Sequence, residues 1–175
     1  MEHQTGHPIK WISTFILFWM FSALAYSRGV QMEEIRKGDA LPSFSVLADS
    51  GDSISTVTLK GKPSLIVFFH TECWDCQKEL PLLQEFYEKY KENVQFIAIS
   101  RAQSEAAIRS YWMTNGLQFP YAAQKDNTVF KLFAEKTIPR IYISDDQGNI
   151  AYVFKEKVKR RRLLRALETI LKEEK

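Results

Sequence analysis

Cys73 and Cys76 are the only cysteines in the chain, and two residues, Trp74 and Asp75, separate them. A pair so spaced can close into a disulfide and reopen to a dithiol. With no second pair available for a structural bridge, any disulfide within this chain is a redox one. The flanking sequence places the pair where a sulfur is usable. The apolar run at 64–69 has the length of a strand, and a helical pattern starts directly after the cysteines. Cys73 then falls at the first helical turn, where unpaired backbone N–H groups and the positive end of the helix dipole favour thiolate over thiol. Such surroundings bring a cysteine pKa from about 8.5 into a range of roughly 3.5 to 7.5. Cys73 is therefore the expected nucleophile, and Cys76, one turn on, the expected resolving thiol. Glu79 stands three residues beyond Cys76. That spacing puts it on the face of Cys76, where a carboxylate can handle the thiol proton. As an acid early in the helix it also complements the dipole.

The elements that must position this pair are legible from patterning. The stretch 65–69 is apolar at both parities, as in a strand covered by helices on both faces of a sheet. Leu80, Leu83, Phe86, Tyr87 and Tyr90 form a core-facing helical stripe, and 94–99 reads as a second buried strand. Two apolar strands joined through one helix give a parallel βαβ unit with a right-handed crossover. Upstream, 41–46 and 54–59 read as the strands of a hairpin turning at Asp49-Ser50-Gly51-Asp52. Downstream, Ser104 is the expected cap of a helix ended by Gly116, with Ile108, Tyr111 and Trp112 inside. A short extended piece follows at 119–121, and Asp126 is the expected cap of a helix carrying Val129, Leu132 and Phe133. The strand at 141–144 and the turn Asp145-Asp146-Gln147-Gly148-Asn149 lead into a strand at 150–154. The last segment interleaves Lys155, Lys157, Lys159, Arg160, Arg161, Arg162 and Arg165 with Val158, Leu163, Leu164, Leu167, Ile170 and Leu171. It reads as an amphipathic helix whose charges form its solvated face.

Taken together, Cys73, Cys76, Glu79 and Pro81 spell Cys-x-x-Cys-x-x-Glu-Leu-Pro. This resembles the thioredoxin superfamily, and within it the TlpA-like and ResA-like thiol-disulfide oxidoreductases of bacterial envelopes, themselves related to the AhpC/TSA redoxins. The resemblance runs from about Leu41 to the C-terminus. It implies an α/β thioredoxin-like fold with a central mixed sheet flanked by helices, an N-terminal β-hairpin and a helix-strand insertion. Pro81 matches the helix proline five residues after the second cysteine, and Val67 replaces the buried acid of ordinary thioredoxins six residues before the first. Glu79 matches the glutamate of the ResA-like branch. Pro139 matches the proline that is cis and lies beside the dithiol, which implies that the backbone of Ile138 takes an extended substrate segment by strand-like pairing. Arg140 departs from the small polar residue common in relatives, and is expected to add positive charge near the site. The resemblance further implies disulfide-bearing envelope proteins as substrates, apocytochrome c among them, and a membrane thiol-disulfide electron donor as the second partner. No cofactor is implied beyond the Cys73/Cys76 couple itself.

Between the cysteines, Asp75 brings negative charge close to both sulfurs, which raises their pKa values and makes the couple more reducing. Trp74 reads as an exposed aromatic rim for a partner or as a packing residue, and both remain open. His70 is within chain distance of a hydrogen bond to Cys73, or plays a structural part at the end of the strand.

Composition bounds the rest. A chain of 175 residues, 45% hydrophobic and 26% charged, supports one domain with a full core. A net charge of +3 argues against a nucleic-acid partner or an acidic substrate. Four-ligand zinc sites need more cysteine and histidine than is present, since two of the three histidines, His3 and His7, precede the apolar run at 11–25. That run follows Lys10 and ends in Ala23-x-Ala25, the form of a signal-peptidase site. The expected organisation is a leader at 1–27, a spacer at 28–40 and the catalytic domain at 41–175. Cleavage of the leader is favoured over its retention as a membrane tether through 11–25, and either outcome exports the domain to the envelope. Two other functions compete with the exchange enzyme. A thiol peroxidase needs threonine three residues before its reactive cysteine, where His70 stands. A copper chaperone would bind Cu(I) through Cys73, Cys76 and His70.

Overall fold

The computed structural model describes residues 34–173. The expected leader, its alternative role as a tether, and residues 28–33 of the spacer lie outside the described residues. The centre is β3 (Ser64–Phe69), every residue of which is buried. Alternation along it sends Leu65, Val67 and Phe69 into one core and Ile66 and Phe68 into another, so a continuous apolar run serves both faces of the sheet. β3 pairs in parallel with β4 (Gln95–Ser100) and antiparallel with β6 (Arg140–Ser144). The short β5 (Tyr121–Ala122) extends the parallel side, and β7 (Ile150–Lys155) extends the antiparallel side. The sheet order is β5-β4-β3-β6-β7, the mixed sheet expected.

The helix α1 (Trp74–Tyr90) joins β3 to β4 and buries Leu80, Leu83, Phe86 and Tyr90, while Pro81 sits inside it on the exposed side. α2 (Glu105–Asn115) begins after Ser104 and ends at Gly116, whose φ of +62° is the left-handed cap that glycine adopts without strain. Ser104 makes no side-chain cap bond, so the start of α2 rests on its extended backbone alone. α4 (Arg160–Glu173) buries Leu163, Ala166, Leu167 and Ile170 and leaves Arg160, Arg161, Arg162 and Arg165 exposed, as amphipathic patterning requires. These three helices share one core. Leu41, Phe44, Val46, Phe130 and Phe133 close the other side against Phe68 and Tyr142.

Two segments are less regular than their patterns suggest. The hairpin has only β1 (Ser45–Leu47) against β2 (Ser53–Ser55). Beyond β2, Thr58 Oγ1 accepts from the Ser55 N–H at 2.8 Å and donates to the Ser55 carbonyl at 3.0 Å. Hydroxyls that satisfy the local backbone in this way turn the chain out of the sheet. The expected helix near 126 is the four-residue α3 (Thr128–Lys131), with Asn127 at its cap position. Asp126 instead takes the Thr128 N–H at 2.7 Å, an Asx turn just ahead of the helix. Residues 34–40, expected as spacer, are bound along the domain. Ile35 N–H donates to the Phe133 carbonyl at 3.0 Å, and Gly38 N–H to the Ile150 carbonyl at 2.8 Å.

Candidate functional site: a dithiol facing a cis proline

β3 ends at Phe69, and His70, Thr71 and Glu72 make the turn that delivers Cys73 to the start of α1. Cys73 is the N-cap, with extended backbone, and its sulfur accepts the Cys76 N–H at 3.4 Å. A cap sulfur thus occupies the place that a serine or aspartate oxygen usually fills, at the positive end of the helix. Cys76 is fully buried behind it, and both cysteines are free thiols. Burial pushes the Cys76 thiol well above its ordinary range, and the hydrogen bond with Cys73 adds to the rise, against a His70 backbone bond that lowers it. Asp75 acts in the expected direction on Cys76 but contributes least of these causes. The two sulfurs differ in burial, Cys73 being half-buried and Cys76 enclosed, and enclosure disfavours the charged form of the inner thiol.

The turn itself is braced by a polar network that sequence patterning does not reveal. Thr71 N–H donates to Gln103 Oε1 at 3.1 Å, Gln103 Nε2 donates to Thr71 Oγ1, and Gln77 Nε2 donates to the Thr71 carbonyl at 2.8 Å. Every polar group of Thr71 is engaged, so the approach to Cys73 is held from both the β4–α2 connection and α1. Gln103 carries no motif, and only the fold brings it here. His70 spends its imidazole on this turn as well. Its Nδ1 accepts the Glu72 N–H at 3.2 Å, and only its backbone carbonyl meets Cys73, through the Cys73 N–H at 3.0 Å.

Across the site, the Ile138–Pro139 peptide is cis, and the Ile138 carbonyl lies 3.8 Å from Cys73 Sγ. Residues 65 positions apart in sequence therefore meet at the Cys73 sulfur. Trp74 is 68% exposed beside it, with Lys78 Nζ 4.4 Å from its ring centroid. Packing does not claim the indole, which leaves it to solvent at the rim of the dithiol.

Glu79 is 5% exposed, one turn beyond Cys76. Its Oε1 accepts the Val158 N–H at 2.9 Å, while Oε2 is buried with no hydrogen-bond partner. Desolvation raises this carboxyl above the usual carboxylate range, against the Val158 bond that lowers it, with a further small rise from Asp75. An acid committed only to the helix dipole would be solvated. This one is held inside by α4's approach, with one oxygen unassigned.

Arg140 corrects an expectation. Its side chain is only 3% exposed and makes a two-pronged ion pair with Glu34, at 2.7 Å from Nη2 to Oε1 and 3.2 Å from Nη1 to Oε2. Lys155 Nζ completes the cluster at 2.8 Å from Glu34 Oε2. The guanidinium is buried and paired, so it does not lend free positive charge to the dithiol. Among the described residues, no three of His, Cys, Asp and Glu lie together where they could hold a metal ion, and no helix is long and apolar enough to cross a membrane.

Known proteins resemble this chain in sequence and fold. Residues 37–153 match the AhpC/TSA family. The thiol-disulfide oxidoreductase ResA of Bacillus thuringiensis (strain Al Hakam) is 31% identical over 119 residues, which cover 67% of this chain and 69% of that protein. ResA of Bacillus subtilis (strain 168) is 26% identical over 147 residues, covering 81% and 82%. Among solved structures, a thio-disulfide isomerase from Thermus thermophilus has a TM-score of 0.67 at 26% identity, over 78% of this chain and 97% of that one. Similarity of that extent, reaching across the sheet as well as the dithiol, makes the chain a member of the AhpC/TSA family and a ResA-like thiol-disulfide oxidoreductase of thioredoxin fold.

Proposed function

We propose that the protein is a reductant of disulfides in exported proteins, apocytochrome c being one candidate, and that a membrane dithiol protein recharges it. The observation that carries this reading is the graded burial of the pair, with Cys73 at the helix cap facing the Ile138 carbonyl and Cys76 enclosed behind it. The Cys73 thiolate attacks one sulfur of a substrate disulfide, forming a mixed disulfide and expelling the other sulfur as a thiolate that takes up a proton. Cys76 then loses its proton and attacks Cys73. This releases the second substrate sulfur and leaves the Cys73–Cys76 disulfide. Two electrons pass to the substrate, and the donor returns two. Ile138 and Pro139 hold the substrate as an added strand during the first step, with Trp74 covering its side chains.

Glu79 Oε2 is the proposed acceptor of the Cys76 proton. A buried thiol whose pKa is raised resolves slowly unless a base is close, and Glu79 offers a buried, unpartnered oxygen one helical turn beyond Cys76. Glu79→Gln keeps an oxygen for the Val158 N–H but removes the base. Turnover is expected to fall about a hundredfold, with the loss confined to resolution of the mixed disulfide in single-turnover measurements. If formation of the mixed disulfide slows equally, Glu79 is not acting on Cys76.

The direction of electron flow is tested by equilibrating the Cys73/Cys76 couple against defined dithiothreitol ratios. Oxidants owe their high potential to a stabilised reduced form, and the high thiol pKa of Cys76 supplies no such stabilisation. The expected potential is at or below about −270 mV. A value near −120 mV would make the protein a disulfide donor instead.

The domain's place of action is read as the cell envelope. Support comes from the leader-like sequence at 11–25 and from likeness to the ResA proteins. Cleavage at Ala25 is favoured over retention of the run as a tether.

A further inference from the structure

The loop that faces Cys73 has its carbonyls fixed one by one. Arg101 Nη1 donates to the Lys136 carbonyl at 2.6 Å, Arg140 Nε to the Thr137 carbonyl at 3.1 Å, and Glu156 N–H to the Pro139 carbonyl at 3.0 Å. The Ile138 carbonyl, between them, points at Cys73 Sγ. Arg140 performs its part from a buried position, and its orientation depends on Glu34, 106 residues earlier in the chain. Glu34 is itself held at the domain edge by Lys155 Nζ and by the Ile35 N–H bond to the Phe133 carbonyl.

We infer that Glu34 and Arg140 are positioning residues for substrate docking: Glu34 holds the Arg140 guanidinium against the Thr137 carbonyl, and so keeps the Ile138 backbone presented beside Cys73. This rests on the reading that an extended substrate segment pairs with Ile138. The planar guanidinium suits the task because its Nη pair takes the carboxylate while Nε remains for a carbonyl on the other side. Neither residue touches the sulfurs, so both act on how the substrate is held rather than on the exchange step.

The test uses the full chain in its reduced form and a peptide carrying one disulfide within an extended sequence, followed by single-turnover kinetics over a range of peptide concentrations. Glu34→Gln is expected to raise the half-saturating concentration about tenfold, the equivalent of one lost backbone pairing contact, while the limiting rate moves far less. The double variant Glu34→Gln with Arg140→Met removes the buried charge together with its partner, and so keeps the fold stable where the single variant fails. It still lacks the bond to Thr137, and the raised half-saturation is expected to persist. A double variant with wild-type half-saturation overturns the inference, because the ion pair would then serve stability alone. A wild-type protein that reduces no peptide removes the exchange reaction itself, and the inference falls with it. Reduction whose rate never saturates with peptide keeps the reaction and overturns the docking role.

Discussion

Replacing Cys76 by serine is expected to turn the enzyme into a covalent trap. Cys73 retains everything the first step needs: the cap position on α1, the Thr71 brace and the facing Ile138 carbonyl. Attack on a substrate disulfide therefore proceeds, but a serine hydroxyl cannot displace a sulfur from the mixed disulfide, since it is not ionised and forms no S–S bond. Release then waits for an external thiol. Turnover should fall by about a thousandfold or more, in line with loss of a member of a catalytic group that acts as a unit. One substrate molecule per chain should remain attached, visible as an adduct mass that dithiothreitol removes. The substitution is close to isosteric, and a buried hydroxyl costs only about 1 to 3 kcal/mol if it stays unpaired, so the variant folds. Cys73→Ser should form no adduct at all. Were the Cys76 variant to turn over at the wild-type rate, the buried thiol would not be the resolving group.

The parts of this site that sequence shows are the parts made by neighbours along the chain. Cys73, Cys76 and Glu79 share the start of one helix, and helical spacing alone sets which of them face each other. The two-sided burial of β3 is equally local, since only a strand covered on both faces would be apolar at both parities from Leu65 to Phe69. Pro139 is recognisable only through likeness to a family, because nothing local to Thr137-Ile138-Pro139 points at a cysteine 65 residues away from Ile138. Arg140 shows the limit more sharply. An arginine beside a catalytic site reads as a surface charge until its partner is known, and the partner is a glutamate 106 residues earlier, in a stretch whose polar composition reads as a spacer. Gln103 is the same kind of case. A glutamine between a strand and a helix carries no signal until the turn at Thr71 is folded against it. Side chains that fasten one loop to another depend on the fold, whereas side chains that share a helical turn depend on spacing alone.

The Glu34 cluster should also set how the protein responds to acid. The Arg140 and Lys155 hydrogen bonds hold the Glu34 carboxyl at about 2, well below its ordinary 4.5. A carboxyl depressed in the folded state contributes stability that is complete above the unfolded value and is lost as pH falls through the folded one. The window therefore runs from about pH 4.5 down to about 2. Fully converted, that shift would amount to about 3 kcal/mol. Glu34 is still 30% exposed, and solvent screening brings the expectation nearer to about 2 kcal/mol. Glu79 works in the opposite sense. Its carboxyl is raised by burial, so its contribution is present below the unfolded value and is lost as pH rises through the folded one. The two carboxyls thus bound stability from opposite sides, and of the two it is Glu34 whose contribution is lost from about pH 4.5 down to about 2. Urea unfolding at a series of pH values, for the wild type and for the double variant Glu34→Gln with Arg140→Met, isolates this contribution, because every other carboxylate is common to both proteins. The wild type should lose about 2 kcal/mol more than the variant across that window. Parallel curves would mean that the carboxylate is not held by the buried guanidinium, and the anchoring of the loop beside Cys73 would lose its basis. A steeper wild-type curve would show that the ion pair bearing on Thr137 persists in solution, with its contribution complete above about pH 4.5.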